Sequence, residues 1–399
     1  MVVVGAGPSG LSAAAALAAR GRSVIVIDRS HEIGSPIRTS GGSFISDMEA
    51  LGVPAELYHP IGRSRFVGPT ETATFAHAPP AMCVLDVRGV FQHLAAGAIA
   101  AGARVRLGCT GGRPLREDGR VVGVVAREEG GGSFELRARV VVDATGYRAA
   151  LARAAGLDPG FVRYGVGAEY DLYAPAYPQD EAVLLVGNQV APTGYAWAFP
   201  WGRGRVRLGV GVTHPDVSFH PRPYLDRLLA KGSRLGLRLE GAQPLEYHHG
   251  LIPSSRSRGR LVGDGIVVVG DAAGQASPLA GEGIRWAIRA GQMAGEAVDD
   301  ALAGGDPSAG HLAEYEARWQ AAHGRNLYIA ELVNARIAAW SDAHWDEGIR
   351  LLRRFSADQF IRALKTDFSP AWLLPLLLKN PGELTGRALS LLRGLASGR

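Results

Sequence analysis

The opening stretch MVVVGAGPSG, followed by an alanine-rich run and then SVIVID, constrains this chain most. Val2 to Val4 read as a short buried strand, GAGPSG as a glycine turn, and Leu11 to Arg20 as a helix. A second strand ends at Asp28. Strand, glycine turn, helix and strand is the order a dinucleotide site requires. Gly5 permits the tight turn, Gly7 lets the backbone approach a pyrophosphate, and Gly10 lets helix and strand pack closely. Pro8 and Ser9 lie inside the turn, where the helix N-terminus offers free N–H groups and partial positive charge to phosphates. Asp28 stands 18 residues after Gly10, placed to accept hydrogen bonds from the adenosine ribose, with Arg29 beside it.

No second fingerprint of this kind occurs, so a tightly held dinucleotide has one dedicated fold, which opens the chain; two later stretches decide between NAD and FAD. RARVVVDATGYRAALAR is a strand running into a glycine turn. DGIVVVGDAAGQASPLAGEGIRWAIRAG carries another strand that ends at Gly270 and Asp271. At that position a carboxylate can bind a hydroxyl of a ribityl chain. After Pro278, a helix begins near Gly281, Gly283 and Ile284, with Ala287, Ile288 and Gly291 at helical spacing. Its N-terminus suits the negative charge of a reduced flavin's pyrimidine side.

A third feature lies in APTGYAWAFPWGRGRVRLGVGV. On a strand, Tyr195, Trp197 and Phe199 share one face and Ala196 and Ala198 the other. The aromatic row is about 13–14 Å long. EAVLLVGNQ and GRVRLGVGV read as neighbouring strands, the second joined by a turn at Gly202 to Gly204. The row reads as the wall of an apolar pocket, with ordinary core packing as the alternative.

Composition narrows the classes. At 399 residues, two or three domains are expected. No apolar run approaches the roughly 18 residues of a membrane span, and the uncharged opening MVVVGAGPSG gives no reason to expect a secretory signal. The net charge of +5 is nearly all arginine, the lysines being Lys231, Lys365 and Lys379. The arginines are dispersed, which argues against nucleic-acid binding. Cys83 and Cys109 have no metal or disulfide spacing and read as buried small apolar residues, which points to the cytoplasm. His248 and His249 are adjacent on a strand and point to opposite faces, so they read as structural, and no metal is expected. The 54 glycines are many for a globular chain, and much of this glycine reads as turns. Composition suggests a GC-rich bacterial genome.

The stretches GAGPSG, DVRGVF, VVDATGYRAALAR, VVVGDAAGQASPLAGEGIRWAIRAG and GYAWAFP together resemble the geranylgeranyl reductase family over essentially the whole chain. The resemblance implies FAD enzymes of the glutathione-reductase-like, hydroxybenzoate-hydroxylase-type fold. The expected fold is therefore α/β with an α+β second domain. A Rossmann-like FAD-binding domain (residues 1–60, 85–160 and 255–300) joins a mostly antiparallel substrate sheet (61–84 and 161–254) and a C-terminal helical region (301–399). By resemblance, Arg38 and Arg88 contact FAD and Asp271 binds its ribityl chain; surface salt bridges are the alternative for the two arginines. Archaeal members carry an Arg-Cys pair near the flavin, where this chain has Arg38 and Thr39. Many members have Lys after the FP of the motif, where this chain has Trp201. The substrate set expected is Thr39, Tyr195, Trp197, Phe199 and Pro200.

The implied chemistry is hydride transfer to a double bond of an isoprenoid chain plus proton delivery, from Tyr195 or from a water near the GEGI turn. NADPH or a ferredoxin-like protein supplies the electrons. Two alternatives remain at this stage. One is a flavin monooxygenase or halogenase on the same fold, the halogenase being disfavoured because no lysine precedes Lys231. The other is a non-catalytic flavin- or isoprenoid-binding protein. The last hundred residues are helical in pattern. HLAEYEARWQAAHGRNLYIAELVNARIAAW is spaced for one long helix or two, and FSPAWLLPLLLKNPGELTGRALSLLRGL is broken by prolines. They read as a cap over the pocket, with peripheral membrane contact through the leucine- and arginine-bearing tail as the alternative.

Overall fold

The computed structural model describes residues 1–157, 160–257 and 259–369. The first sheet has six strands in the order Val262–Gly263, Ile266–Val268, Val141–Asp143, Val2–Val4, Ile25–Ile27, Arg104–Arg106. All neighbours run parallel except the first pair. The inner strands are three-residue runs of mostly Val and Ile, nearly all buried, as a sheet covered on both faces demands.

Helix Pro8–Ala18 covers this sheet, with Gly7 as N-cap and Pro8 in its first turn. Gly5 has φ +111°, and a Cβ there would lie 2.1 Å from the Ala144 carbonyl oxygen. A Cβ on Gly10 would lie 2.0 Å from the Gly5 oxygen, whereas one on Gly7 would meet nothing within 4 Å. The two crowded glycines thus close the turn, and the open one leaves room over it.

The 20-residue helix Ile284–Ala303 lies against Pro8–Ala18 through a seam of small residues. Cβ atoms on Gly291 and Gly295 would fall 2.2 Å from the Ser9 oxygen and 2.6 Å from the Ala16 Cβ. These glycines are four residues apart, on one helix face. Their lack of side chains lets the helices close and draws both N-termini to one cleft.

The second sheet has seven strands, in the order Gln243–Pro253, Tyr164–Tyr173, Arg205–His214, Tyr195–Gly202, Glu181–Leu185, Arg63–Val67, Thr72–Ala76. It is antiparallel except where Glu181–Leu185 pairs with Arg63–Val67. The turn after the aromatic strand holds Gly202, Arg203 and Gly204 at φ +92°, +56° and +68°. Ala196 and Ala198 join Val206, Leu208 and Val210 on one face, which packs on Leu225 and Leu228 of helix Arg222–Lys231. Methyl groups on that face let the helix come close.

Beyond residue 300 the chain is helical. Ala309–Trp319 and Arg325–Ile337 are joined by a π-helical turn, Gln320–Gly324, so the pattern that fitted one helix or two is a continuous run with a bulge. Helices Asp342–Leu352 and Ala357–Leu364 begin with capping boxes at Ser341 and Ser356. They pack on the outer strands of the large sheet, where Phe360 stacks on Phe75 at 4.1 Å. Asp346 accepts hydrogen bonds from the Thr70 and Glu71 N–H groups and the Thr70 hydroxyl, fastening this layer to the sheet. The amphipathic segment after residue 369 lies outside the described residues. Among the described residues, no helix is long and apolar enough to cross a membrane.

Candidate active site

The unpacked face of the large sheet forms one wall of a cavity of about 410 Å³. Tyr195, Trp197 and Phe199 line it as a row, with ring centroids 5.6 and 6.4 Å apart. The opposite wall comes from the helices, with Ile337, Trp340, Ile349 and Phe360. Thr39 and Arg38 line one side, together with Pro278, Gly281, Gly283 and Ile284. Pro200 is the exception among the expected substrate residues. It pairs with Val206, on the Ala196 and Ala198 side of the strand, and does not line the cavity. The two-residue alternation that aligns the aromatics turns it away.

The glycines in these strands are not turn residues. Gly165, Gly167 and Gly211 line the cavity, and Gly209 shares their face beneath Trp197, so the four recur at alternate positions. Trp197 is paired with Gly209, and a Cβ there would stand 2.2 Å from the indole. The indole therefore lies flat on a bare backbone floor.

At the rim of the row, Trp201 donates to Asp171 Oδ1 at 3.2 Å. The guanidiniums of Arg205 and Arg207 lie 4.2 and 4.6 Å from its ring centre. Where relatives by resemblance carry lysine, this chain has an indole that two arginines already cover.

Tyr195 places its hydroxyl on the Ala280 carbonyl, tying the aromatic strand to the turn that precedes helix Ile284–Ala303. Burial, reinforced by the charges of Glu282 and Glu169, raises its phenol well above the ordinary value. The expected proton donor is thus a neutral phenol whose hydrogen is already engaged.

The second part of the site is the cleft over the parallel sheet. Asp28 accepts from the Ala6 and Ser30 N–H groups, both at 2.7 Å, and so shapes the turn while keeping lone pairs for a ribose. No side chain caps either helix N-terminus that opens on the cleft. Asp271 is half-buried, without a side-chain hydrogen bond among the described residues, and burial pushes its carboxyl up to about 6. Its Oδ1 lies 3.5 Å from where a Gly283 Cβ would stand.

Arg38 has its guanidinium lowered by burial and then by the positive charges of Arg29 and Arg148. Only Asp28 offsets them, and none of the three makes an ion pair among the described residues. Arg148 was not among the residues expected from sequence, although it stands inside VVDATGYRAALAR. Arg88 is ion-paired with Glu32 at 3.3 Å, and Asp86 caps the helix that carries it. Cys83 and Cys109 are buried and free, and no metal-holding cluster occurs among the described residues.

These residues fit FAD. Gly7 leaves room for a diphosphate, three unpaired arginines and two uncapped helix ends supply positive charge, and an unpartnered carboxyl awaits a hydroxyl. Fold and cleft together define an FAD-dependent oxidoreductase. Residues 1–173 match the FAD dependent oxidoreductase family, and residues 164–245 match the geranylgeranyl reductase catalytic domain.

Digeranylgeranylglycerophospholipid reductase 2 of Methanopyrus kandleri is 32% identical over 396 residues, covering 96% of this chain and 98% of the relative. The digeranylgeranylglycerophospholipid reductase of Methanosarcina mazei is 30% identical over 96% and 97%. The chain belongs to the geranylgeranyl reductase family.

A geranylgeranyl bacteriochlorophyll reductase-like structure from Thermoplasma acidophilum superposes with a TM-score of 0.87 at 24% identity, covering 98% of both chains. The flavin-dependent brominase Bmp2 reaches 0.72 at 19% identity, covering 97% and 98%. Both likenesses speak to the fold. The named reductase relatives are archaeal and lend no support to the bacterial origin read from composition.

Proposed function

We propose that this enzyme saturates carbon–carbon double bonds of a geranylgeranyl or longer isoprenoid chain carried on a lipid. The observation that carries the reading is the continuous apolar cavity walled by Tyr195, Trp197 and Phe199, which runs up to the Gly281–Gly283 turn of the cofactor cleft. An isoprenoid has no carbonyl to polarise, so the protein's contribution is placement, dryness and a proton. FAD, reduced, would supply hydride. Residues 1–60, 85–160 and 255–300 form the cofactor unit, and 61–84 with 161–254 form the substrate sheet.

Within the cofactor unit, Gly5, Gly7, Pro8, Ser9 and Gly10 hold the diphosphate with Arg29, Arg38 and Arg148. Asp28 takes the ribose, and Gly270 and Asp271 take the ribityl chain. Arg88 sits at the margin, where its ion pair with Glu32 must open for it to reach the cofactor. The aromatic row holds the chain extended, Thr39 lines the cofactor side, and the helical layer excludes water. Tyr195 positions the Ala280–Gly283 turn. NADPH or a ferredoxin-like protein reduces the flavin, and the lipid is collected by peripheral contact with a membrane.

The test is anaerobic. The purified flavoprotein is reduced, and a digeranylgeranylglycerophospholipid in detergent micelles is added. Flavin reoxidation without oxygen supports the reading. Reoxidation only on admitting air, with an oxygen in the product, favours a hydroxylase and overturns it.

A further inference from the structure

A row of three ionisable side chains leads from the surface to the cavity, and neither the cofactor cleft nor the apolar wall accounts for it. Glu246 keeps 43% of its side chain exposed. Its Oε2 lies 3.0 Å from His248 Nε2, and His248 Nδ1 lies 3.0 Å from Glu169 Oε1. The side chains of His248 and Glu169 are only 5% and 4% exposed. Glu169 reaches the cavity wall, and its other oxygen accepts from Trp197 Nε1 at 2.7 Å. Glu246 and His248 are two apart on strand Gln243–Pro253, hence on one face, and His248 is the cross-strand partner of Glu169.

Stability alone does not explain such a row. A buried ion pair loses several kcal/mol per ion in desolvation, and apolar residues of similar volume commonly do as well. Burial by itself lowers the proton affinity of the His248 imidazole, but the hydrogen bonds to Glu169 and Glu246 raise it above the ordinary value. The hydrogen bond to His248 in turn holds Glu246 below the usual carboxylate range. Other charges around the row are Arg205 and Arg207 on the strand paired with that of Glu169, Arg205 lying 3.7 Å from Glu246, with Asp171 beside Glu169, Arg88, and Glu282 across the cavity.

Saturating a double bond takes a hydride at one carbon and a proton at the other. The Tyr195 hydrogen is engaged with Ala280. Glu282, the other cavity carboxyl, is paired at 2.7 Å with Arg285, a guanidinium that cannot pass a proton on. Glu169 has beside it an imidazole that also reaches the cavity, backed by the exposed Glu246. We propose that Glu169 protonates the substrate carbon and that His248, oriented by Glu246, resupplies it.

The proton leaves Nδ1 of the His248 imidazolium and binds Glu169. That O–H then breaks as a C–H forms with the electron pair of the alkene π bond. Glu169 returns to carboxylate and the neutral imidazole keeps its hydrogen on Nε2, held by Glu246; between turnovers Nδ1 takes up a proton from water admitted to the cavity, which His248 also lines. The electron pair of the reduction arrives as hydride from the reduced FAD of the family, so the relay itself carries protons only. This inference rests on the reductase reading.

The experiment is a single turnover of anaerobically reduced holoenzyme with the micellar digeranylgeranyl lipid, in H₂O and D₂O, across pH. In wild type the rate should fall as pH rises through the His248 value, with a solvent isotope effect. Glu169→Gln keeps an acceptor for Trp197 and should slow turnover about 10²–10⁴-fold with FAD content and lipid binding retained. His248→Gln should abolish the pH limb. Independently of turnover, ¹⁵N NMR of the wild-type holoenzyme should show His248 holding its second proton to higher pH than an ordinary imidazole. A Glu169→Gln rate within about threefold of an active wild type overturns the relay, as does a His248 that loses its proton at or below the pH of an ordinary imidazole. Loss of turnover in Glu282→Gln alone would assign the donor to Glu282 instead. A wild type that does not turn over overturns the reductase reading itself, and the relay falls with it.

Discussion

The indole Nε1 of Trp197 donates to Glu169 Oε2 at 2.7 Å, so the central aromatic of the cavity wall also holds a buried carboxylate in place. Trp197→Phe keeps the ring on its glycine floor but leaves one oxygen of Glu169 unpaired. An orphaned buried acceptor costs about 1–3 kcal/mol. Urea unfolding at neutral pH should show a loss of that size, and an unchanged midpoint would mean that the bond contributes nothing.

Gly291 should not tolerate even a methyl group. In an ordinary helix Gly→Ala gains about 1 kcal/mol. Here the new Cβ would meet the Ser9 oxygen at 2.2 Å. Gly291→Ala is expected to lose about 1–3 kcal/mol from overpacking and to lower FAD content, because Ser9 lies in the first turn of the helix proposed to hold the diphosphate. The absorbance ratio of flavin to protein, with a thermal melt, checks both.

Asp271 links cofactor binding to pH. Its carboxyl, raised to about 6, binds a proton in the folded apoprotein at pH values where the unfolded chain has lost it. The stability this contributes is complete below the ordinary carboxylate value and disappears as pH rises through about 6. Asp271→Asn stays neutral, so its apoprotein should melt higher than wild type at alkaline pH, the difference shrinking toward acid. FAD should bind wild type more tightly as pH rises through that range, since the ionised group is the better acceptor. Asp271→Asn should bind FAD more weakly and with no pH dependence. Differential scanning fluorimetry and flavin-quenching titrations read the two effects separately.

Arg148 is predicted to matter to the cofactor as much as Arg38. Replacing it with Met removes a charge that has no carboxylate partner among the described residues. A charge-assisted hydrogen bond contributes about 1.5–3 kcal/mol, so FAD affinity should drop about tenfold to a hundredfold. The apoprotein, relieved of repulsion among three guanidiniums, should be no less stable. Equal FAD affinity in the two proteins would remove Arg148 from the site.

Much of this was legible in the sequence where local order alone decides structure. The GAGPSG turn, its helix and Asp28 follow one another within 28 residues. The alternation of Tyr195, Trp197 and Phe199 with alanines fixed the two faces of a strand. Pro200 belongs to the GYAWAFP motif, but its even position turns it to the alanine face. The alternate glycines at 165, 167, 209 and 211 carry the same two-residue period, but glycine reads first as turn. Glu169 and His248 stand 79 residues apart and meet only through cross-strand register, which no local pattern encodes. Arg148 joins Arg29 and Arg38 by the same kind of long-range convergence.

The central claim is that reduced flavin in this chain saturates an isoprenoid held along the aromatic row. Its most direct measurement is the mass of the lipid recovered after one anaerobic turnover of the reduced holoenzyme. The account predicts a gain of two mass units for each bond reduced. Lipid recovered unchanged from a fully flavin-loaded enzyme, or changed only by an added oxygen once air is admitted, would contradict it.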